Sequence, residues 1–538
     1  MGAGIVGAAI AARLATAGVE VCLLDRSGPA AGASSSGEGN ILVSDKLPGP
    51  ELSLAVRSLA LWRELASRGG EQFEFEAKGG LVVARDRAEL EGLQALALSQ
   101  RQSGVSAEVL AGDDLRDVEP ALSPHLTGGV YYEADCQVQP MLAVAFHVAD
   151  AVAHGACAVA GAEVVSADHA PGGAIRALRT TKGAIGVGRW AVNAAGPWAG
   201  ELARRLGAGV AVLPRRGHVL VTEPLPPLVR HKVYGAGYVG SVHASGPRWT
   251  CSPVVEATKS GTVLIGSSRE LAGFSGQLDA EIVAELAARA TALFPGLGGA
   301  RLMRAYVGFR PATPDRLPII GPDPGVGALL HATGHEGAGI GLAEVTAELV
   351  EALVVGAPPP VDLAPFAPGR FEDAAEAPAE GTAEVAAEGP AEVAVGPAPR
   401  PEPVAAGAGR PPRLAPRGGR GLHGRPRPAP SPTRVHFRFD GRDFTAPAGS
   451  TVAGALLANG QYSWGLTRSG AQPRGLFCGI GTCFDCLVDL NGARAVRACL
   501  APLHDNDEVR TSGRVGGTCP VPGRAPAPGD FATERDHG

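Results

Sequence analysis

The sequence predicts an α/β protein built in mixed layers, followed by a small, separately folded β-rich domain. Three observations carry that prediction. Helical and strand-like stretches alternate over residues 1–371. Gly2, Gly4 and Gly7 form a G-x-G-x-x-G pattern that opens a helix and is followed by a strand ending in Asp25. Near the C-terminus Cys478, Cys483, Cys486 and Cys499 are spaced C-x4-C-x2-C-x12-C.

Helical periodicity covers Ala8 to Ala17, Pro50 to Ser67, Pro140 to His154 and Glu281 to Leu293. Strand signals mark Val19 to Leu24, Gly80 to Ala84, Arg189 to Ala194, His218 to Thr222 and Thr262 to Ile265. Their mixed order predicts two interleaved layers within residues 1–371. Residues 372–432 then turn to Ala, Pro, Gly and Glu, and after these to Arg, with almost no large apolar side chain. Such a segment cannot build a core and is expected to be a disordered, flexible linker spanning about 40 Å as a coil. Its acidic first half and basic second half either remain solvated, collapse on each other or dock on partners. Residues 433–511 form the second folded unit, with a hairpin in VHFRFDGRDFTAPAG and a helix at Val452 to Asn459. Residues 512–538, rich in Gly and Pro, are expected to be a disordered tail.

With 45% hydrophobic and 19% charged residues the chain has the composition of a water-soluble globular protein. A net charge of -6 without a basic, aromatic stripe argues against nucleic acid as a partner. Gly, Pro and charges interrupt every apolar run, so no transmembrane segment and no signal peptide is expected. Cys22, Cys136, Cys157, Cys251 and Cys519 show no pairing pattern, which fits the reducing cytoplasm.

The clustered cysteines have the spacing of a plant-type 2Fe-2S site. Three thiolates must reach one cluster from a single turn, and Gly475, Gly479 and Gly481 permit the tight backbone this needs. A strand at Phe484 to Leu490 and a turn at Asn491-Gly492 return the chain so that Cys499 supplies the fourth thiolate. Zinc favours paired C-x2-C knuckles, and a disulfide scaffold does not suit a chain of 538 residues.

The glycine pattern has its own mechanism. Gly2, Gly4 and Gly7 allow a pyrophosphate to approach the helix N-terminus, where the dipole favours negative charge, and Asp25 accepts hydrogen bonds from a ribose. Met1 directly precedes Gly2 where a strand should feed this turn, so either the start is misassigned and further residues precede it or the sheet lacks its innermost strand. The second case predicts unpaired backbone groups on the neighbouring strands and weak cofactor binding.

The segments GAGIVGAAIAARLATAGVEVCLLDR, GASSSGEGNILVSDK, VNAAGPWAG and GFRPATPDRLPIIGPDPGVGALLHATGHEGAGIG resemble the D-amino-acid oxidase family of FAD oxidoreductases across residues 2–370. The segment PRGLFCGIGTCFDCLVDLNGARAVRACLAPL is similar to the small 2Fe-2S subunit of hydroxyproline dehydrogenases, opine oxidases and hydrogen cyanide synthases. Together they resemble a β subunit of such complexes fused to its small subunit. The resemblance implies a Rossmann-like FAD domain interleaved with an antiparallel substrate domain, then a β-grasp ferredoxin-like 2Fe-2S domain.

It also implies roles for residues. Gly2, Gly4, Gly7 and Asp25 would hold the pyrophosphate and ribose of FAD, with Arg26 on the adenosine side. Ser34, Ser35, Ser36 and Gly37 match a second FAD loop, Val164 the position that reads adenine, and Ala195, Gly196 and Trp198 a passage beside the cofactor. Gly334, Gly337, Gly339, Ile340 and Gly341, with His335, resemble the loop and helix start next to the flavin pyrimidine. His335 is either a proton-transfer group or a packed loop histidine. Arg310 matches the residue that grips a substrate carboxylate, a structural ion pair being the competing role. Tyr234, Tyr238 and His243 lie in the region that usually caps the substrate in the family, packing being the competing role.

The implied reaction is dehydrogenation of the C-N bond of a D-amino acid, an imino acid or a secondary amine, with cis-4-hydroxy-D-proline favoured. Electrons would pass from FAD to the 2Fe-2S cluster, whose tether gives it an effective concentration of order millimolar near the flavin without a rigid interface. An α-subunit flavoprotein partner and a downstream electron acceptor are implied, the latter allowing attachment at a membrane surface. An oxygen-using oxidase and a non-catalytic electron-transfer subunit are the alternatives.

Overall fold

The computed structural model describes residues 1–238, 249–371, 434–466, 473–476, 479 and 485–511. The expected linker at 372–432, the expected tail at 512–538, His243, Cys478, Gly481 and Cys483 lie outside the described residues. Residues 1–371 and the C-terminal folded residues belong to one compact unit.

The helix Ile5–Thr16 is Ala-rich and buried on almost every face, so its backbone packs closely against the helices Pro140–Ala153 and Ala343–Val355. Beside it the strand Cys22–Asp25 runs parallel to Cys157–Ala160, with Leu24 opposite Val159. A second group pairs Ala191–Asn193 in parallel with Leu329–Thr333, which is antiparallel to Ile319–Pro322. Met1 and Gly2 stand between the two groups. Gly2 N donates to Leu24 O at 2.8 Å, Ala194 N donates to Met1 O at 2.9 Å, and the Met1 ammonium donates to Val192 O at 2.9 Å. Two residues therefore bridge the gap where a longer strand was expected, and the backbone groups facing them are paired rather than orphaned. Burial of the Met1 ammonium pulls its pKa down to about 6.

The second layer is an eight-stranded mixed sheet in the order Leu302–Ala312, Leu213–Thr222, Val263–Glu270, Trp249–Ala257, Lys232–Gly235, Gly80–Ala84, Gly128–Tyr132 and Glu108–Ala111. The strand Gly80–Ala84 has the expected bounds, whereas those at Leu213–Thr222 and Val263–Glu270 extend further than their apolar runs. Arg215, Arg216, Arg269 and Glu270 are polar but lie within strands, because ladder pairing and buried ion pairs accommodate them. The helix Ala280–Leu293 covers this sheet with Ile282, Leu286, Ala290 and Leu293, an i, i+4, i+8, i+11 stripe. Its N-cap Asp279 accepts from Glu281 N at 2.9 Å.

The C-terminal domain is a five-stranded mixed sheet in the order Arg442–Pro447, Arg434–Phe439, Asp507–Thr511, Leu487–Leu490 and Ala493–Arg497. The helix Val452–Ala458 crosses it, capped by Thr451 Oγ1, and buries Val452, Ala455 and Leu456 against Phe437, Val488 and Val509. Among the described residues no helix is long and apolar enough to cross a membrane.

Leu286 is fully buried between its helix and the sheet. Leu286→Ala is expected to cost about 2–5 kcal/mol, seen as a lower denaturant midpoint for the flavin-domain transition while the 2Fe-2S domain's own transition is unmoved.

Candidate active site

A cavity of about 250 Å³ runs between the two layers of the N-terminal domain. One end is built by the first turn of the helix Ile5–Thr16. Gly4 is its N-cap, the first turn contains no acidic side chain, and Gly4, Ile5 and Val6 line the cavity, so the positive end of the helix borders it. Gly2 has φ +96, and a Cβ there would meet Ala194 O at 2.5 Å. Gly7 lies beneath Gly2 rather than on the cavity wall, where a Cβ would collide with the Gly2 carbonyl.

Asp25 holds this end together. Its Oδ2 accepts from Ala3 N at 2.8 Å, and its Oδ1 accepts from Ser27 N at 2.7 Å and Gly28 N at 2.8 Å. Ser34 Oγ accepts from Ile5 N at 3.0 Å, so this hydroxyl supports the helix start while lining the cavity. Arg26 Cζ stands 4.1 Å from the centre of the Trp198 ring, which stacks on Phe274 at 5.1 Å. Ser36, Gly37, Val164, Ala195, Gly196, Gly337, Gly339 and Ile340 also line the cavity, as the resemblance implied.

Three further residues named from the resemblance do not line this cavity. Ser35 donates to Gly32 O at 3.0 Å and faces a smaller neighbouring cavity. Gly334, at φ +76, makes the turn after Leu329–Thr333 and packs on Thr313. Gly341 packs on Asn40 and Ile41 and accepts from Trp62 Nε1 at 3.2 Å. All three shape the cavity from behind its wall.

Arg310 lies on the long strand Leu302–Ala312, in register with Arg215 on Leu213–Thr222. Gly217 leaves room for its guanidinium, and Nη1 donates to Ser268 O at 2.8 Å. Burial, then the neighbouring Arg269, pull its pKa downward, opposed by Tyr238, Glu336 and Glu38. A guanidinium stays charged under that strain, so Arg310 is a cation lining the cavity, with no carboxylate within direct ion-pair distance among the described residues. Arg269 lies 4.6 Å over the Tyr238 ring, and Arg215 donates to Glu336 Oε1 at 2.7 Å.

His335 lines the same cavity, but its Nε2 is paired with Thr346 Oγ1 at 2.9 Å and burial lowers its pKa to about 4. It is a neutral, packed histidine. Tyr238 lines the cavity, whereas Tyr234 is fully buried away from it and pairs its hydroxyl with Ser44 Oγ beside Asp135.

Sequence reasoning missed Glu38. Its carboxylate lines the cavity, accepts from Gly266 N at 3.2 Å and from Asn40 Nδ2 at 3.3 Å, and fits only because Gly266 has no Cβ. Burial raises its pKa to about 7, with Glu256 adding to the rise and Lys232 and Arg310 opposing it. Lys232 and Glu256 form a buried ion pair next to it. The only sequence signal was one acidic residue inside a glycine-rich FAD loop.

In the C-terminal domain Cys486 and Cys499 are both buried, and Ala498 N donates to Cys486 O at 3.0 Å, so the two chain segments that carry them are adjacent. That placement and two soft thiol donors fit an iron-sulfur cluster.

Fold and cavity together define a dinucleotide-dependent oxidoreductase. The chain belongs to the FAD dependent oxidoreductase family, whose pattern matches residues 1–353, and residues 432–514 match a 2Fe-2S iron-sulfur cluster binding domain. FAD and a 2Fe-2S cluster are its cofactors. It is 30% identical over 338 residues to the hydrogen cyanide synthase subunit HcnC of Pseudomonas aeruginosa, covering 62% of this chain and 77% of that one. Glycine oxidase of Geobacillus kaustophilus is 30% identical over 374 residues, 68% of this chain and 94% of the relative. The crystal structure of glycine oxidase from that organism superposes with a TM-score of 0.62 at 28% identity, covering 69% of this chain and 97% of that one. L-proline dehydrogenase from P. horikoshii shares the fold, with a TM-score of 0.64 at 22% identity over 69% of this chain and 96% of its own.

Gly7→Val forces the helix away from Gly2. At about 1–3 kcal/mol for such overpacking, the variant is expected to bind flavin roughly 10- to 100-fold more weakly, measured by the flavin-to-protein absorbance ratio after dialysis.

Proposed function

We propose that the protein is an FAD-dependent dehydrogenase that oxidises the C-N bond of an amino acid, imino acid or related secondary amine and passes the electrons to its own 2Fe-2S cluster. A D-configured cyclic imino acid, cis-4-hydroxy-D-proline, is the favoured substrate. The observation that carries this reading is the pairing of a buried cation, Arg310, with a buried carboxyl, Glu38, on the wall of one cavity. A zwitterion presents the complementary pair, a carboxylate and an ammonium.

Arg310 would grip the carboxylate, and its contact to Ser268 O fixes the guanidinium plane. Glu38 would take the ammonium proton, leaving the neutral amine whose lone pair assists departure of hydride from the adjacent carbon. Bound FAD supplies the hydride acceptor, and the cluster accepts electrons one at a time. Glu336, held by Arg215, and the neutral His335 would keep the flavin-side wall fixed and free of a competing proton. The product imine is released to hydrolyse or to remain cyclic.

Similarity to a protein named as a hydrogen cyanide synthase subunit supports a partner subunit, for which an α-subunit flavoprotein is the proposed identity. Similarity to glycine oxidase over 94% of that relative supports a second reading, in which oxygen is the acceptor. Anaerobic mixing with cis-4-hydroxy-D-proline, followed by visible absorption, separates them. Bleaching of both flavin and cluster bands is expected; flavin bleaching alone, with stoichiometric hydrogen peroxide in air, would select the oxidase.

Arg310→Lys loses the planar, bidentate grip, worth about 1.5–3 kcal/mol for charged hydrogen bonds, and should raise KM roughly 10- to 100-fold with flavin content unchanged. Glu38 must be ionised to accept a proton, and its pKa is raised to about 7. Activity should therefore rise with pH through that value. Glu38→Gln should remove this limb of the kcat/KM profile and lower the high-pH plateau by roughly 100-fold.

A further inference from the structure

The turn between the strands Trp249–Ala257 and Val263–Glu270 is unlike an ordinary surface turn. It carries three hydroxyls, with Thr258 Oγ1 2.7 Å from Ser260 Oγ and 2.8 Å from Thr262 Oγ1. Hairpin turns lie at the surface, where water satisfies such groups. Here Ser260 and Thr262 are 0% exposed. The cover is the C-terminal domain. Ser260 Oγ donates to the carbonyl of Gly479, the residue directly after Cys478 in the cysteine loop. A Cβ on Gly479 would meet Thr262 Cγ2 at 2.7 Å and Met303 Cε at 3.1 Å, so this glycine is what allows the close approach.

Two further contacts extend the seat. Pro224 lies against Gly454 within the helix Val452–Ala458, Pro227 lies against Gly449 before it, and Arg301 Nη1 donates to Tyr462 Oη at 3.2 Å. Burial pushes the Glu74 carboxyl up, while Lys259 and Arg497 of the C-terminal domain act against that rise.

The inner side of the same turn borders the loop that lines the main cavity. Thr258 lines a small cavity together with Tyr306, Ser34 and Gly37, and the last two also line the main cavity. From Met303, under Gly479, the strand Leu302–Ala312 runs on to Gly308, which packs on Ser36 of the FAD loop.

We infer that the Thr258–Thr262 turn and the Pro224–Pro227 loop form a docking seat for the chain's own 2Fe-2S domain, and that this seat is the exit for electrons from the flavin. The inference rests on the proposed dehydrogenase reading for its direction of flow. Each oxidised C-N bond releases two electrons and two protons. The electrons leave singly through the seat to the cluster, each changing one iron from the ferric to the ferrous state, and an external one-electron acceptor reoxidises it. The protons go to solvent. The C-terminal domain is thus held in a transfer position rather than merely tethered.

A cysteine pair tests the seat without relying on turnover. A Cβ on Gly454 would stand 3.1 Å from Pro224 Cβ, within a few tenths of an ångström of the disulfide range of about 3.5–4.5 Å. In the full-length holoprotein, Pro224→Cys with Gly454→Cys should form an intramolecular disulfide under a mild thiol-specific oxidant, seen as a mobility shift on a non-reducing gel. The locked protein should still bleach its cluster on substrate as fast as after dithiothreitol. Thr262→Arg should leave flavin bleaching unchanged and slow cluster bleaching at least tenfold. Failure of the crosslink, loss of cluster reduction in the locked form, or unaltered transfer in Thr262→Arg would each overturn the seat. If the unmodified protein reduces no cluster with any amino acid, the proposed function fails instead, and the crosslink still decides the docking.

Discussion

The carboxylate of Asp25 is the tie on which the cofactor end depends. Through Ala3, Ser27 and Gly28 it joins the first turn of the helix, the end of its strand and the following loop. Two of those N-H groups, Ala3 and Gly28, are part-buried and would otherwise lack a protein partner. With them fixed, Ala30 N donates to Ala3 O at 2.9 Å and Ser34 reaches Ile5 N, so the second FAD loop is placed from the same point. The two-residue bridge at Met1 and Gly2 then joins the strand groups on either side without any side chain being needed.

The other end of the cavity is organised by charge. Arg215, Arg269 and Arg310 crowd one wall, balanced by Glu336 and approached by Glu38. Buried charges are costly unless paired, so an arginine facing a cavity is a site waiting for an anion. Glu38 has the opposite tension, since burial favours its neutral form while Lys232 and Arg310 favour the ionised one. A carboxyl balanced in this way is suited to exchanging a proton near neutral pH. Glu38, Arg215, Arg269, Arg310 and Glu336 come from five separate stretches of chain, and Gly217 and Gly266 supply the space that lets two of them turn inward.

Most of the cofactor end was legible in the sequence because a phosphate-binding turn is a local device. Gly2, Gly4 and Asp25 act within one strand-turn-helix segment, and their spacing alone specifies the geometry. Arg310 was legible through its Gly-Phe-Arg-Pro surroundings. Glu38 was not, since its meaning comes from Lys232, Glu256 and Arg310, all nearly two hundred or more positions away. Ser35, Gly334 and Gly341 were named from the resemblance together with neighbours that line the cavity, and the backbone turns these three away from it.

The sequence by itself determined the α/β class, the dinucleotide turn, the four-cysteine spacing and the presence of two folded parts, because each is written in short-range pattern and spacing. Only the tertiary structure decided that Glu38 and Arg310 share a cavity, that His335 is neutral, and that the Thr258–Thr262 turn is covered by the cysteine-bearing domain. Burial and long-range charge are sums over distant residues, and no local pattern encodes them.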